Sequence, residues 1–209
     1  MNLPEQLYLL ACDVERGRVP ERGKLGRVLR AAALTDLVLR GSLTDDHGRP
    51  SVRGVKPTGD QLLDGLCAEI SRDKPRKWQA WVQRRPGPAL REVQSGLERA
   101  GAITVRSRRV LGIFPGTAVT VHDPVAREVL RTRVRAAVQE DGALPPAEAA
   151  LAALAATGEL RTVLTGRERR ARKQRIRDLA EVAGPAGPAL RKAIEALKAA
   201  HAAAHSGGE

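Results

Sequence analysis

A chain of 209 residues with 42% hydrophobic side chains is long enough for one ordinary buried core, but only 2% are aromatic, so leucine, valine and alanine must fill it. A formal net charge of +12 attracts anions: nucleic acid, phospholipid headgroups and acidic proteins. Two cysteines outside any CxxC pair and four scattered histidines exclude a zinc or disulfide framework, and no apolar run reaches the roughly 18 residues of a membrane span.

Leu3, Leu7 and Leu10 share one face of a short helix over residues 3–12, with Pro4 in its first turn. No basic stretch precedes these apolar residues, so no signal peptide is expected and the chain reads as cytoplasmic. Residues 13–23 form a loop rich in charge, glycine and proline. The clearest helix covers residues 25–39. Leu25, Val28, Leu29, Ala32 and Ala33 follow helical spacing, Leu34, Leu37 and Val38 widen the apolar face, and Gly41 ends it. Residues 42–55 predict a small strand, the turn Asp46-His47-Gly48-Arg49 and a returning strand.

The stretch PTGDQLLDGL, Pro57 to Leu66, predicts a loop running into a helix. Gly59 permits the turn, Thr58 or Asp60 caps the helix, and Leu62, Leu63, Leu66 and Ile70 bury one face. Trp78 and Trp81 lie three apart on a short helix over 77–84, a pair better suited to filling a core than to holding a ligand. Arg84-Arg85-Pro86-Gly87-Pro88 interrupts the chain before a helix over 89–100, which Gly101 closes.

Arg106, Arg108 and Arg109 then precede the apolar run Val110, Leu111, Gly112, Ile113 and Phe114. With Pro115-Gly116 as the turn and 117–121 as the return strand, this is a hairpin with a basic base and an apolar tip. A helix over 125–140 turns Val129, Leu130, Val134 and Val138 inward. The alanine-rich stretch 147–156 reads as a buried helix. The run RERRARKQRIR, 167–177, reads as a solvated helix face, and 190–204 as the last helix, with a frayed end. The expected fold is mainly α: a single domain over 1–205 with a core helix bundle and one or two small β-hairpins, and a disordered tail over 206–209.

No P-loop pattern and no Gly-x-Ser-x-Gly occurs, acids fall singly on helix faces, and His47 and His122 sit in or beside turns. An enzyme, a metal and a cofactor are therefore not expected. Two binding readings remain. On an anionic membrane, the hairpin tip enters the headgroup region while arginines pair with phosphate. On DNA, the order helix, Gly101, strand and basic hairpin reads as a winged helix, with Arg91, Gln94 and Arg99 as sparse base-readers. A hairpin packed on its own domain, and an adaptor whose basic face meets acidic tails of membrane enzymes, are further readings.

LPEQLYLLACD, LRAAALTDLVLRGSL, PTGDQLLDGL and the segment from Leu97 through Gly101 to Pro124 occur in that order, and together they resemble the Golgi phosphoprotein 3 family. The resemblance implies a helical core ringed by amphipathic helices, a protruding hairpin used in membrane contact and oligomer assembly, and a lipid-headgroup module like that with which eukaryotic members bind phosphatidylinositol 4-phosphate. It places Arg30 on a headgroup-binding arginine. Arg91 stands one residue out of register with another, and Arg84 and Arg85 are substitutes nearby. Where the family has a tryptophan, this chain has Glu21, so a preference for anionic lipid in general is implied rather than one phosphoinositide. Val110, Leu111, Ile113 and Phe114 match the family's apolar hairpin run. The Ala-, Arg- and Gly-rich composition suits a bacterial member, of the actinobacterial kind, so a Golgi sorting role is not carried over. The implied partners are an anionic phospholipid surface, further copies of the chain and membrane-protein tails, ahead of nucleic acid.

Overall fold

The computed structural model describes residues 1–54, 57–110 and 114–206. The fold is mainly α. Among the described residues the order is α1 (Leu3–Ala11), α2 (Arg22–Leu39), β1 (Leu43–Asp46), β2 (Arg49–Val52), α3 (Gln61–Arg72), α4 (Trp78–Gln83), α5 (Pro86–Arg99), β3 (Ile103–Val110), β4 (Phe114–Val121), α6 (Pro124–Gln139), α7 (Pro146–Thr157), α8 (Gly166–Ala171), α9 (Lys173–Val182) and α10 (Ala186–Ser206).

Helix α2 is the axis. Ala31, Ala32, Ala33 and Leu34 are wholly buried, and α1, α3, α4, α5, α7 and α10 pack around them. The run Ala31 to Leu34 is apolar on every face and so lies inside, and Lys24, Arg30 and Asp36 of the same helix are buried with it. Helix α7 follows the same logic, with Ala149 to Ala156 buried without interruption. Its alanines let neighbouring backbones approach closely, which offsets the shortage of aromatic volume. Trp78 and Trp81 are core residues, as their spacing suggests.

The two antiparallel pairs are small. Strands β1 and β2 meet at Asp46 and Arg49 around His47 and Gly48, both at positive φ, the conformation of a tight two-residue hairpin turn. Strands β3 and β4 pair from Ile103 with Val121 out to Val110 with Phe114. Ile103, Val119 and Val121 anchor this hairpin in the core, while Arg106 and Ser107 are exposed. The expected tip residues Leu111 and Ile113 lie outside the described residues, as do the side chains of Val110 and Phe114.

The structure moves three expected features. Helix α5 begins at Pro86 rather than after Pro88, because a proline in the first turn gives up only an N–H that has no helical partner. Pro115 and Gly116 lie within β4 and not in the turn, which a two-stranded ribbon with open edges permits. Val129 points outward, 56% exposed, because α6 buries only Val134 and Val138.

The junction at Pro57 is held by two carboxylates. Asp60 caps α3 by accepting the Leu63 N–H at 2.9 Å. Asp64 reaches back and accepts the Thr58 N–H and hydroxyl, each at 2.8 Å, and the Gly59 N–H at 3.1 Å. Burial works to raise its pKa, but those three donors outweigh it and hold Asp64 below the usual carboxylate range. Asp64→Ala is expected to destabilise the fold by about 1–3 kcal/mol in urea titrations at neutral pH. The folded pKa is depressed, so this contribution exists above the unfolded value of about 3.9 and disappears as pH falls through the folded one. The difference between wild type and variant should therefore close in acid.

Candidate functional site

Arg30 projects from the middle of α2 and is only 3% exposed. Its Nε donates to the Trp81 carbonyl at 3.1 Å and its Nη2 to Glu69 Oε2 at 3.3 Å. Arg85 comes from the other side and donates from Nη1 to Glu69 Oε1 at 3.2 Å. One carboxylate on α3 thus bridges two arginines, each oxygen taking one. Burial lowers the Arg30 pKa and the Glu69 charge opposes that. Burial raises the pKa of Glu92 on α5, and Arg30 opposes that shift too.

Arg84 sits just outside this centre. It pairs with Asp73 and lies 5.5 Å from the Trp81 ring centroid, within cation–π range. Arg85 precedes α5 at φ +48, and its side chain is 60% exposed. Arg91 is exposed on α5 and leans toward its N-terminus, with a guanidinium nitrogen 3.7 Å from where a Cβ on Gly87 would stand. Arg30, Arg84, Arg85 and Arg91 therefore group around the start of α5, three of them facing outward. The enclosed space between Arg30, Glu69, Arg85 and Glu92 is about 30 Å³, room for a water and not for a phosphate. Glu69 lies between the Arg30 and Arg85 guanidinium groups and pairs with both.

The hairpin is tied to the same end of the molecule. Arg22, in the first turn of α2, donates to Thr117 Oγ1 of β4 at 3.2 Å. One turn later Gly26 packs against the backbone of Pro86, the residue after Arg85. The loop before α2 adds a further tie, because Val119 N–H donates to Gly17 O at 2.9 Å. The hairpin, held at Thr117 and Val119, and the arginine group thus both adjoin the N-terminal half of α2.

A family model describing Golgi phosphoprotein 3 (GPP34) matches residues 3–197. The chain belongs to the Golgi phosphoprotein 3 family. Among curated proteins no sequence match is found. In this family member no described helix is long and apolar enough to cross a membrane, and no group of three or more metal-ligating side chains occurs among the described residues. Both cysteines are buried, and burial pushes the Cys12 thiol up to about 12. Gln94, one of the sparse candidate base-readers on α5, is buried and donates to Tyr8 Oη at 2.6 Å.

Sequence reasoning found the arginines and missed the acids that hold them. A signal for Glu69 was present: Leu62, Leu66 and Glu69 fall at i, i+4 and i+7, which sets an acid on the buried stripe of α3. Arg22, the link between hairpin and helix, carried no such signal, because its partner lies 95 residues away.

Proposed function

We propose that this chain binds anionic phospholipid surfaces reversibly. Arg84, Arg85 and Arg91 meet lipid phosphates, with Arg30 behind them, and Val110, Leu111, Ile113 and Phe114 enter the headgroup region. The observation that carries this reading is the link from Thr117 through Arg22 and Gly26 to Pro86, which gathers the hairpin strands and the outward arginines at one end of α2. Family membership supports it. The ligand class is anionic lipid in general, because Glu69 and Glu92 fill the space around Arg30 that a tailored phosphate pocket needs.

Each basic residue near such a surface contributes about 1 kcal/mol. One copy therefore binds weakly, and association of copies through the open strand edges of the hairpin would strengthen binding by avidity. The winged-helix reading is less well supported, since Gln94 is committed to Tyr8 inside the fold.

Flotation with vesicles at near-physiological salt, with duplex DNA as competitor, is the direct test. Anionic vesicles should carry the protein and neutral vesicles should not, whether or not DNA is present. Leu111→Asp with Phe114→Asp should abolish flotation and leave the thermal melt unchanged. Arg84→Glu with Arg85→Glu should weaken it by at least about tenfold, given about 1 kcal/mol for each cation near the surface. Undiminished flotation of the aspartate pair would remove the hairpin from the reading. Retention on DNA without flotation would reject lipid altogether.

A further inference from the structure

Helices α9 and α10 touch at the turn that joins them, where a Cβ on Gly187 would lie 3.5 Å from the Ala180 Cβ. Beyond that turn a groove of about 450 Å³ opens between them, floored by Ile176, Ala180 and Ile194. Ile176 and Ala180 are only half-buried, so the floor is accessible apolar surface.

The two rims differ in charge. On the α10 side the charges are already paired: Arg191 with Glu195 at 4.0 Å, and Lys198 with Glu159. On the other side Arg169, Lys173, Arg177 and Glu181 all line the groove at four-residue intervals. The spacing continues across the break at Arg172 between α8 and α9. Arg169 donates to the Leu164 carbonyl at 2.9 Å and Arg177 to Gln174 at 3.4 Å, both neutral acceptors. Glu168, the acid within the basic run, is turned away: it caps α8 through Thr165 and pairs with Arg135. Three cations that form no ion pair among the described residues thus stand in a row beside an apolar floor, with Glu159 within the field of Arg169, and Glu181 ends the row.

We propose that this groove receives an acidic amphipathic helix of a partner protein. Helix-in-groove recognition needs an apolar floor for one face and matching charges beside it. Carboxylates four residues apart on the incoming helix run along Arg169, Lys173 and Arg177, since positions four apart lie on one helix face. Apolar side chains between them rest on Ile176 and Ala180. Glu181 fixes direction, because it favours a basic residue at that end and repels a further acid. A flat anionic sheet fits less well: the cations line a concavity, and Glu159, Glu181 and Glu195 share it.

The test is selection of displayed random peptides on the full chain, with counter-selection on the Lys173→Glu/Arg177→Glu variant. An enriched peptide is then labelled and titrated by fluorescence anisotropy against variants whose melts match wild type. Enriched sequences should repeat acids four apart with apolar residues between. The Lys173→Glu/Arg177→Glu pair should weaken binding at least about tenfold, and Arg167→Glu/Arg170→Glu, outside the groove, by no more than about threefold. No enrichment, enrichment without paired acids, or equal loss with both reversals would overturn the proposal. Binding of phosphatidylglycerol vesicles or duplex DNA in place of any peptide, weakened equally by both reversals, would make the run a general polyanion surface.

Discussion

Arg30→Ala is expected to lower the unfolding free energy by about 3–5 kcal/mol, the cost of breaking a buried ion pair by removing one partner. The guanidinium serves two acceptors at once, the Trp81 carbonyl and Glu69, and alanine takes this donor from the carbonyl and leaves Glu69 with Arg85 alone. Denaturant titration reads this directly. Arg30→Lys should fall between, since an ammonium keeps the charge but lacks the planar fork that reaches two acceptors.

Glu69→Gln tests the site from the other side. An amide removes the charge that Arg30 and Arg85 share. The fold should weaken by about 1–3 kcal/mol, because a buried guanidinium loses its counter-charge. Binding to anionic vesicles should strengthen, because the exposed Arg85 becomes free for phosphate. The pair of variants separates two roles for Arg30. If it braces Glu69 and α4, Arg30→Lys keeps vesicle affinity in proportion to its folded fraction. If it takes phosphate itself, Arg30→Lys loses affinity while still fully folded.

Local spacing made α2, α3, α7 and the β1–β2 hairpin legible, because burial there follows from residues close in sequence. The positions of Trp78 and Trp81 were legible for the same reason. What escaped depends on distant partners. Val129 has the spacing of an inward residue, but no element covers that face of α6, so it stays exposed. The start of α5 was hidden because two prolines and a glycine resemble an interruption, while the αL residue Arg85 makes them a first turn. At the site, basic residues were legible by type. Their neutralisation was not, since Glu69 meets Arg30 across 39 residues of chain. An arginine in a motif reads as available until the structure shows what already holds it.

Gly26→Ala should destabilise the fold, against the usual gain in helix propensity. In an open helical site alanine is favoured over glycine by up to about 1 kcal/mol. Gly65 on α3 is such a site, with nothing within 4 Å of an added Cβ, so Gly65→Ala is the stabilising control. At Gly26 the added Cβ would lie 2.2 Å from the Pro86 carbonyl oxygen and 2.7 Å from its carbon. Both are backbone atoms, so no rotamer change relieves the clash and α2 must part from α5. Overpacking of this kind costs about 1–3 kcal/mol or more. The separation also moves Pro86, and with it Arg85, away from the helix end that Arg22 ties to the hairpin. Vesicle binding by Gly26→Ala, measured well below its melting temperature, should therefore fall further than its folded fraction accounts for. If binding instead tracks the folded fraction, the hairpin and the arginine group act independently, and the join at α2 serves only the core.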